Sequence, residues 1–316
     1  MTRLAYLNGQ FVSEESLSVP IYDAGFVQGV TVAEQLRTFG GKLFRLDRHL
    51  ERLRRSLEII RISGIDLASI SDAAQELASH NHKLMAPGDD LGLSLFVTPG
   101  PYSTFAPPGP HVPTIGMHTY PIPFHLWNDK YTIGERLIVS SVRQVPNNCW
   151  PLELKCRSRM HYYLADREAR ERELGARALL LDQDDFIAEA STASVILYRN
   201  GEGFLSPPRE KVLPGVSVGV LEELAREMGF AFLHRDLTVD DAHSADEVIL
   251  CSTSPCLLPV VSLDGRPIGA GVAGAVAQQV VAAWSRLVGL DPNGLGPDAD
   301  GAGALDFGVL LAQKPP

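Results

Sequence analysis

Two charged residues sit where the surrounding pattern is apolar. Lys155 closes the short run Pro151-Leu152-Glu153-Leu154, and Glu189 interrupts Phe186-Ile187-Ala188-Glu189-Ala190, which otherwise reads as a β-strand. A charge withdrawn from water needs a partner or changes its pKa. A fold that buries both must bring each to a counter-charge, and one shared ligand would justify the pair. Each residue alone also has a plain reading. Lys155 can lay its stem along apolar surface with the amine in water, and Glu189 can face solvent from a strand.

At 316 residues the chain is long enough for two domains. Leu4–Leu7 and residues 10–12 flank Asn8-Gly9, a strong hairpin signal. A second hairpin is expected from residues 33–39, Gly40-Gly41 and residues 42–46, with Asp47 as N-cap of a helix over 48–62. Leu50, Leu53, Leu57 and Ile60 give that helix an apolar stripe, and Arg52 shares a neighbouring face with His49. A helix over 67–84 and a strand over 91–97 follow. Residues 98–123, dense in Pro and Gly, read as one long loop, either a lid or substrate loop or a plain insertion.

The second half predicts a strand at 136–142, a helix at 160–174 and an antiparallel succession over 178–181, 186–189 and 195–198. A helix through Met228 opens at Leu213-Pro214-Gly215-Val216-Ser217. A strand at 247–251, the hydroxyl-rich Ser252-Thr253-Ser254, a hairpin at Asp264-Gly265 and a closing helix to about Leu290 complete it. The expected organisation is an N-terminal domain over 1–123, a linker over 124–132, a C-terminal domain over 133–290 and a Gly/Pro-rich tail over 291–316.

A net charge of −10 argues against a general nucleic-acid surface, which needs clustered Lys and Arg. The first nine residues contain no apolar core of a signal peptide. The run 272–290 is interrupted by Gln278, Gln279 and Arg286, so it reads as a packed helix rather than a membrane span. Cys149, Cys156, Cys251 and Cys256 form no CxxC pair, which favours reduced thiols over zinc. A cytoplasmic protein is expected.

Pyridoxal phosphate is a ligand whose chemistry needs both charges. It requires an amine to hold its aldehyde and move a proton, an acid beside the pyridine nitrogen, a phosphate cradle and walls that orient the substrate. Lys155 suits the first role, because burial lowers an amine's pKa. Glu189 suits the second. The helix start at Val216-Ser217 offers backbone N–H groups to a phosphate. Thr253 adds a hydroxyl, and Arg52 either a guanidinium fork or merely a solvated helix residue.

In order and separation this set resembles the class IV, or fold type IV, aminotransferases, which include branched-chain and D-amino acid aminotransferases and aminodeoxychorismate lyase. The resemblance runs through Tyr22-Asp23-Ala24-Gly25-Phe26 to Glu34, residues 46–53, Lys155, Ile187-Ala188-Glu189 and Leu213-Pro214-Gly215-Val216. It implies an α+β fold, with a small N-terminal α/β domain, a larger C-terminal pseudo-barrel domain and the cofactor between them. It further implies Lys155 as Schiff-base lysine, Glu189 as pyridine partner and Arg52, Val216, Ser217 and Thr253 around the phosphate. A homodimer that exchanges amino groups between an amino donor and a 2-oxo acid is implied as well.

This chain departs from the family pattern around the substrate. Where the family has Gly-Asp-Gly-Val-Phe-Glu it reads Gly29-Val30-Thr31-Val32-Ala33-Glu34, so the usual aromatic wall is Ala33. The segment that often carries a carboxylate-binding arginine reads Val97-Thr98-Pro99-Gly100-Pro101. Ser194 replaces an Asn, and Ser158-Arg159 an Asn-Tyr pair. Arg157 or Arg159 is therefore a candidate for substrate carboxylate, against the alternative that they pair with Glu153, Glu168 or a dimer partner. Ser254 is a further substrate-contact candidate.

Three rival readings remain, one of them a non-enzymatic relative that binds the cofactor for structure or regulation, against which the joint presence of Lys155, Glu189 and Arg52 weighs. Gly269-Ala270-Gly271-Val272-Ala273-Gly274 matches the dinucleotide fingerprint of an NAD(P) oxidoreductase, but it follows a hairpin turn and no second βα unit succeeds it. A lyase of the aminodeoxychorismate type would keep the fold and change the reaction.

Overall fold

The computed structural model describes residues 2–86 and 88–289; the tail expected over 291–316 lies outside them. It contains two compact units. The first is the chain up to Ile122 together with Glu153–Arg159, and the second is Pro123–Leu152 together with the described residues from Met160 onward. Residues 153–159 thus return to the first unit, although they lie within the 133–290 span expected to form the C-terminal domain.

The first unit is a six-stranded sheet with two helices on one face. Its strands are β1 (Leu4–Leu7), β2 (Gln10–Ser13), β3 (Val32–Phe39), β4 (Lys42–Leu43), β5 (Leu91–Thr98) and β6 (Thr114–Pro121), in the order β2-β1-β6-β5-β3-β4. A single turn, α1 (Ala24–Val27), precedes β3; α2 (Leu46–Ile59) and α3 (Leu67–His82) supply the helical layer. Strand alternation sends Val32, Leu36, Leu93, Leu95, Val97 and Met117 to the face where Leu53 and Leu57 of α2 and Ile70, Ala74 and Leu77 of α3 close the core. The opposite face carries Ala33, Gln35, Ser94, Phe96, His118 and Tyr120.

Two expectations are corrected here. Residues 98–123 are not one loop: β6 pairs with β5 along its whole length, from Leu91↔Pro121 to Thr98↔Thr114. Its inward alternation of Ile115, Met117 and Thr119 was masked by Gly116 and the polar outward positions. Asp47 is not the N-cap of α2. Arg45, in left-handed conformation at φ 50°, holds that position with no side-chain cap, and Asp47 lies in the first turn, where a carboxylate favours the dipole.

The second unit is built on a sheet that closes on itself. Its strands are β7 (Glu135–Val139), β8 (Arg177–Leu181), β9 (Ile187–Ala190), β10 (Ala193–Arg199), β11 (Gly203–Ser206), β12 (Phe232–His234), β13 (Glu247–Ser252), β14 (Cys256–Leu263) and β15 (Arg266–Pro267). The path β10-β13-β14-β7-β8-β9 returns to β10 through Ala193↔Ala190 and Ser194↔Glu189, which makes a barrel. The far end of β10 pairs with β11 instead. The helices are α4 (Lys130–Ile133), α5 (Met160–Arg172), α6 (Val216–Glu227), α7 (Val239–His243) and α8 (Ala275–Leu287). Ala165 and Ala169 of α5 pack on Ile138, Ala178 and Leu180, small residues letting the helix approach the strands closely. Among the described residues no helix is long and apolar enough to cross a membrane.

The barrel also explains the glycine motif at 269–274. The Glu247 carboxylate accepts hydrogen bonds from Val276 N (2.8 Å) and Ala277 N (2.7 Å) in the first turn of α8. A Cβ on Gly274 would come within 2.1 Å of the Glu247 carboxyl carbon. The amides that a dinucleotide pyrophosphate would need are therefore held by the protein's own carboxylate, and Gly274 makes room for it.

Candidate active site

In the first unit the chemistry gathers where residues 155–157 run alongside β3. The Ala33 N–H donates to Lys155 O (3.0 Å) and the Arg157 N–H to Thr31 O (2.8 Å), so the segment is held as an extra short strand. Ser56 Oγ of α2 accepts from the Lys155 N–H at 3.2 Å. Lys155 is half-buried. Loss of water around the amine, followed by the charge of Arg52, outweighs the opposing pull of Glu34 and lowers its pKa from 10.5 to about 7; Arg159 and Arg157 push the same way.

Beside it lies a buried ionic set. Arg52 meets Glu34 through a two-pronged fork, Nε to Oε1 at 2.8 Å and Nη2 to Oε2 at 2.7 Å. His49 Nδ1 donates to the same Oε2 at 2.7 Å. Burial alone would push the Glu34 carboxyl up; the charge of Arg52 and the bonds from Arg52 and His49 overcome that and hold it at about 2. Burial keeps the His49 imidazole below its ordinary range despite Glu34. Arg52 is thus no solvated helix residue: it is buried, and its Nε/Nη2 edge is committed to Glu34. Glu34 carries the same sequence signal as Glu189, a carboxylate inside an apolar strand, and the structure adds it to the candidate residues.

Arg157 is exposed and donates from Nη2 to the buried Ser94 Oγ at 2.6 Å. The intramolecular pairings weighed against it are taken: Glu153 pairs with Arg55, and Glu168 accepts from Ser140 and Ser141. Ala33 is buried in a row with Phe96 and Gly116, the large ring standing between two small neighbours. The aromatic of this row is therefore carried one strand over, at Phe96.

In the second unit Glu189 lies on β9, buried in the barrel wall. Its Oε2 accepts from Tyr162 OH (2.7 Å) and Gln144 Nε2 (3.3 Å), and its Oε1 from the Leu213 N–H (3.1 Å). Tyr162 and Gln144 carried no signal in the sequence, since a Tyr on a helix and a Gln after a strand are ordinary surface choices. Leu213 starts the short link to α6, whose N-cap Gly215 brings no side-chain cap to the first-turn amides of Val216 and Ser217. Ser217 Oγ donates to Ser252 O (2.9 Å), which ties the helix start to the turn holding Thr253 and Ser254. With its proton given to that carbonyl, Ser217 offers an anion its backbone N–H rather than its hydroxyl.

The first unit thus holds an amine of lowered pKa, and the second a buried strand carboxylate and a helix start without a side-chain cap. The model of the class IV amino-transferase family matches residues 31–263, and the chain belongs to that family. It is an enzyme with aminotransferase relatives. A putative branched-chain-amino-acid aminotransferase of Methanocaldococcus jannaschii is 28% identical over 277 residues, 87% of this chain and 93% of the relative. The D-alanine aminotransferase of Staphylococcus aureus strain N315 is 28% identical over 292 residues, 90% of this chain and 97% of that one. Among solved structures, the branched-chain amino acid aminotransferase of Escherichia coli superposes with TM-score 0.79 at 22% identity, over 99% of this chain and 100% of that one. The branched-chain amino acid aminotransferase of Thermobaculum terrenum, in its PLP-form, superposes with TM-score 0.80 at 21% identity, over 91% of this chain and 94% of that one.

The family implies pyridoxal phosphate, and the residues present fit that group. Lys155 has the lowered amine, Glu189 is a carboxylate buried at an apolar strand, and α6 presents first-turn amides without a side-chain cap.

Proposed function

We propose that the protein is a pyridoxal phosphate-dependent aminotransferase that moves an amino group between an amino donor and a 2-oxo acid. The observation that carries the reading is the Lys155 amine, held at about 7 within a chain of this family. Lys155, Arg52, Glu189, Val216, Ser217 and Thr253 are the residues assigned to the cofactor; Ala33 and Ser254 are assigned to substrate. Bound pyridoxal phosphate supplies an aldehyde that takes up the amino group and a ring that accepts electrons. The Lys155 amine would hold that aldehyde and, once free, would take the proton from the substrate α-carbon and deliver it to the cofactor carbon that bears the amino group. Glu189, oriented by Tyr162, Gln144 and Leu213 N, would keep a proton on the ring nitrogen. The same reading takes the enzyme as a homodimer. Exposed Ile21, Phe26, Phe105 and Val112 support this, standing on segments joined by Ala24 N to Gly100 O and Tyr102 N to Tyr22 O.

Borohydride reduction of the cofactor-loaded protein followed by peptide mapping should place the label on Lys155; a label elsewhere refutes the assignment. The pH dependence is a second check. Lys155 must be uncharged to attack an aldehyde, and its uncharged fraction grows as pH rises through its pKa. Cofactor capture by the apoprotein should therefore climb around pH 7 rather than near 10.5.

Glu189→Gln should lower turnover by about 100-fold or more, with cofactor retention reduced far less. A neutral amide cannot hold the ring nitrogen protonated, whereas the amides of α6 are untouched. Equal losses in both measurements would count against this role. Adding amino acids to the wild type should shift the visible band to the pyridoxamine form; release of pyruvate from aminodeoxychorismate would indicate the lyase instead.

A further inference from the structure

The face of the first sheet opposite its helices is polar at its centre, and its three central cross-strand rows hold no acid. These rows are Ala33–Phe96–Gly116, Gln35–Ser94–His118 and Arg37–Gly92–Tyr120. The two glycines lie beneath rings. A Cβ on Gly116 would meet Phe96 Cζ at 2.3 Å, and one on Gly92 would meet Tyr120 Cζ at 2.1 Å. Tyr120 OH accepts from Gln35 Nε2. Ser94 thus sits in the middle row with an aromatic in the row on either side, and it is the residue that seats Arg157.

Arg157 is placed by three contacts of different kinds. Its N–H is bonded to Thr31 O, its guanidinium to Ser94 Oγ, and its neighbour Ser158 donates from Oγ to Gly29 O at 2.8 Å. Alternation along the extended segment sends residues 155 and 157 to the same side. The cations close to one another are Lys155, Arg157 and Arg159, each disfavouring charge on its neighbour. Among the described residues neither Arg157 nor Arg159 forms an ion pair with a carboxylate. His118, next to Ser94 in the row, adds no charge near neutral pH, because burial and then Arg157 hold it below its ordinary value. Two adjacent guanidiniums without an acid, one fixed by a buried hydroxyl, are a receptor for a planar anion.

We propose that Arg157, seated on Ser94 and backed by Arg159, binds the carboxylate of the substrate. This rests on the aminotransferase reading and assigns to that reaction a specificity residue from the strand just past Lys155. Arg157 touches substrate, while Ser94 is a positioning residue that holds the guanidinium in place.

The test is binding of 4-methylvalerate and its neutral amide, 4-methylvaleramide, to the cofactor-loaded enzyme by calorimetry. Wild type should prefer the acid by about tenfold or more, as expected for a charge-assisted hydrogen-bonded pair. In Arg157→Ala the preference should vanish and KM for the amino acid donor should rise by a similar factor, with kcat changed less. Ser94→Ala should lose part of the preference. Arg157→Lys, which keeps charge without the fork, should regain part, and it serves in place of Arg157→Ala should that variant fail to fold. A preference unchanged in Arg157→Ala, or lost only in Arg159→Ala, overturns the assignment, as does a wild type that binds acid and amide alike. A wild type that takes up no cofactor overturns the underlying reading and this one with it. That outcome is recognised separately by the absence of a visible band.

Discussion

Replacing Lys155 by alanine is expected to lower turnover by at least about ten-thousand-fold, the combined loss of a covalent nucleophile and a proton carrier. The loss should be chemical rather than structural. The contacts that hold this residue in place are made by its backbone, from Ala33 N to Lys155 O and from Lys155 N to Ser56 Oγ, and alanine keeps both. The side chain stands among Arg52, Arg157 and Arg159, so its removal also relieves repulsion between like charges. The thermal midpoint of the apoprotein should accordingly be no lower than that of the wild-type apoprotein. Steady-state turnover and a melting curve of the same preparation check both halves. A variant with wild-type turnover would refute the mechanism, and one that simply unfolds would refute the account of how the segment is held.

Glu34→Gln is expected to have the largest effect on stability, about 3–5 kcal/mol, because it leaves the Arg52 guanidinium buried without its counter-charge. The fork from Arg52 and the His49 bond all end on this carboxylate, and an amide keeps an acceptor at one oxygen position only while turning an N–H toward the donors at the other. The sign of the pH dependence follows from the depressed pKa. A carboxyl at 4.5 when unfolded and about 2 when folded adds roughly 3 kcal/mol above pH 4.5, lost as the pH falls toward 2. Chemical denaturation of wild type and variant should therefore show a gap that is full at neutral pH and shrinks in acid. A gap that does not change with pH would mean that Glu34 is not ionised in the folded protein. Because Glu34 also acts on the Lys155 amine, cofactor capture by a variant that still folds should move to lower pH.

The parts of the fold that the sequence showed are those coded by neighbours in the chain. Asn8-Gly9 and Gly40-Gly41 supply the positive φ values their hairpins need, and both hairpins form there. The apolar stripes of α2 and α3 set which faces meet the sheet. The parts that stayed hidden depend on distant segments. β6 lacks a strong strand signal of its own and exists because β5 offers it a complete ladder. The barrel wall runs through parallel pairings of β7 with β8 and β14 and closes where β9 returns to β10, which no local pattern announces.

Sequence alone determined the chemistry on offer: a lysine and a glutamate in apolar surroundings, a helix start after Pro214-Gly215 and arginines at 52, 157 and 159. It did so because burying a charge is costly enough to leave a visible break in an apolar pattern. Only the tertiary structure decided the partners of those charges. Glu34 on β3 reaches both His49 and Arg52 of α2, Ser94 reaches Arg157 from the middle of a sheet, and Tyr162 reaches Glu189 from α5. Hydrogen bonds and ion pairs act over a few ångströms of space whatever the separation in the chain, so their pairing is settled by the fold that brings the groups together.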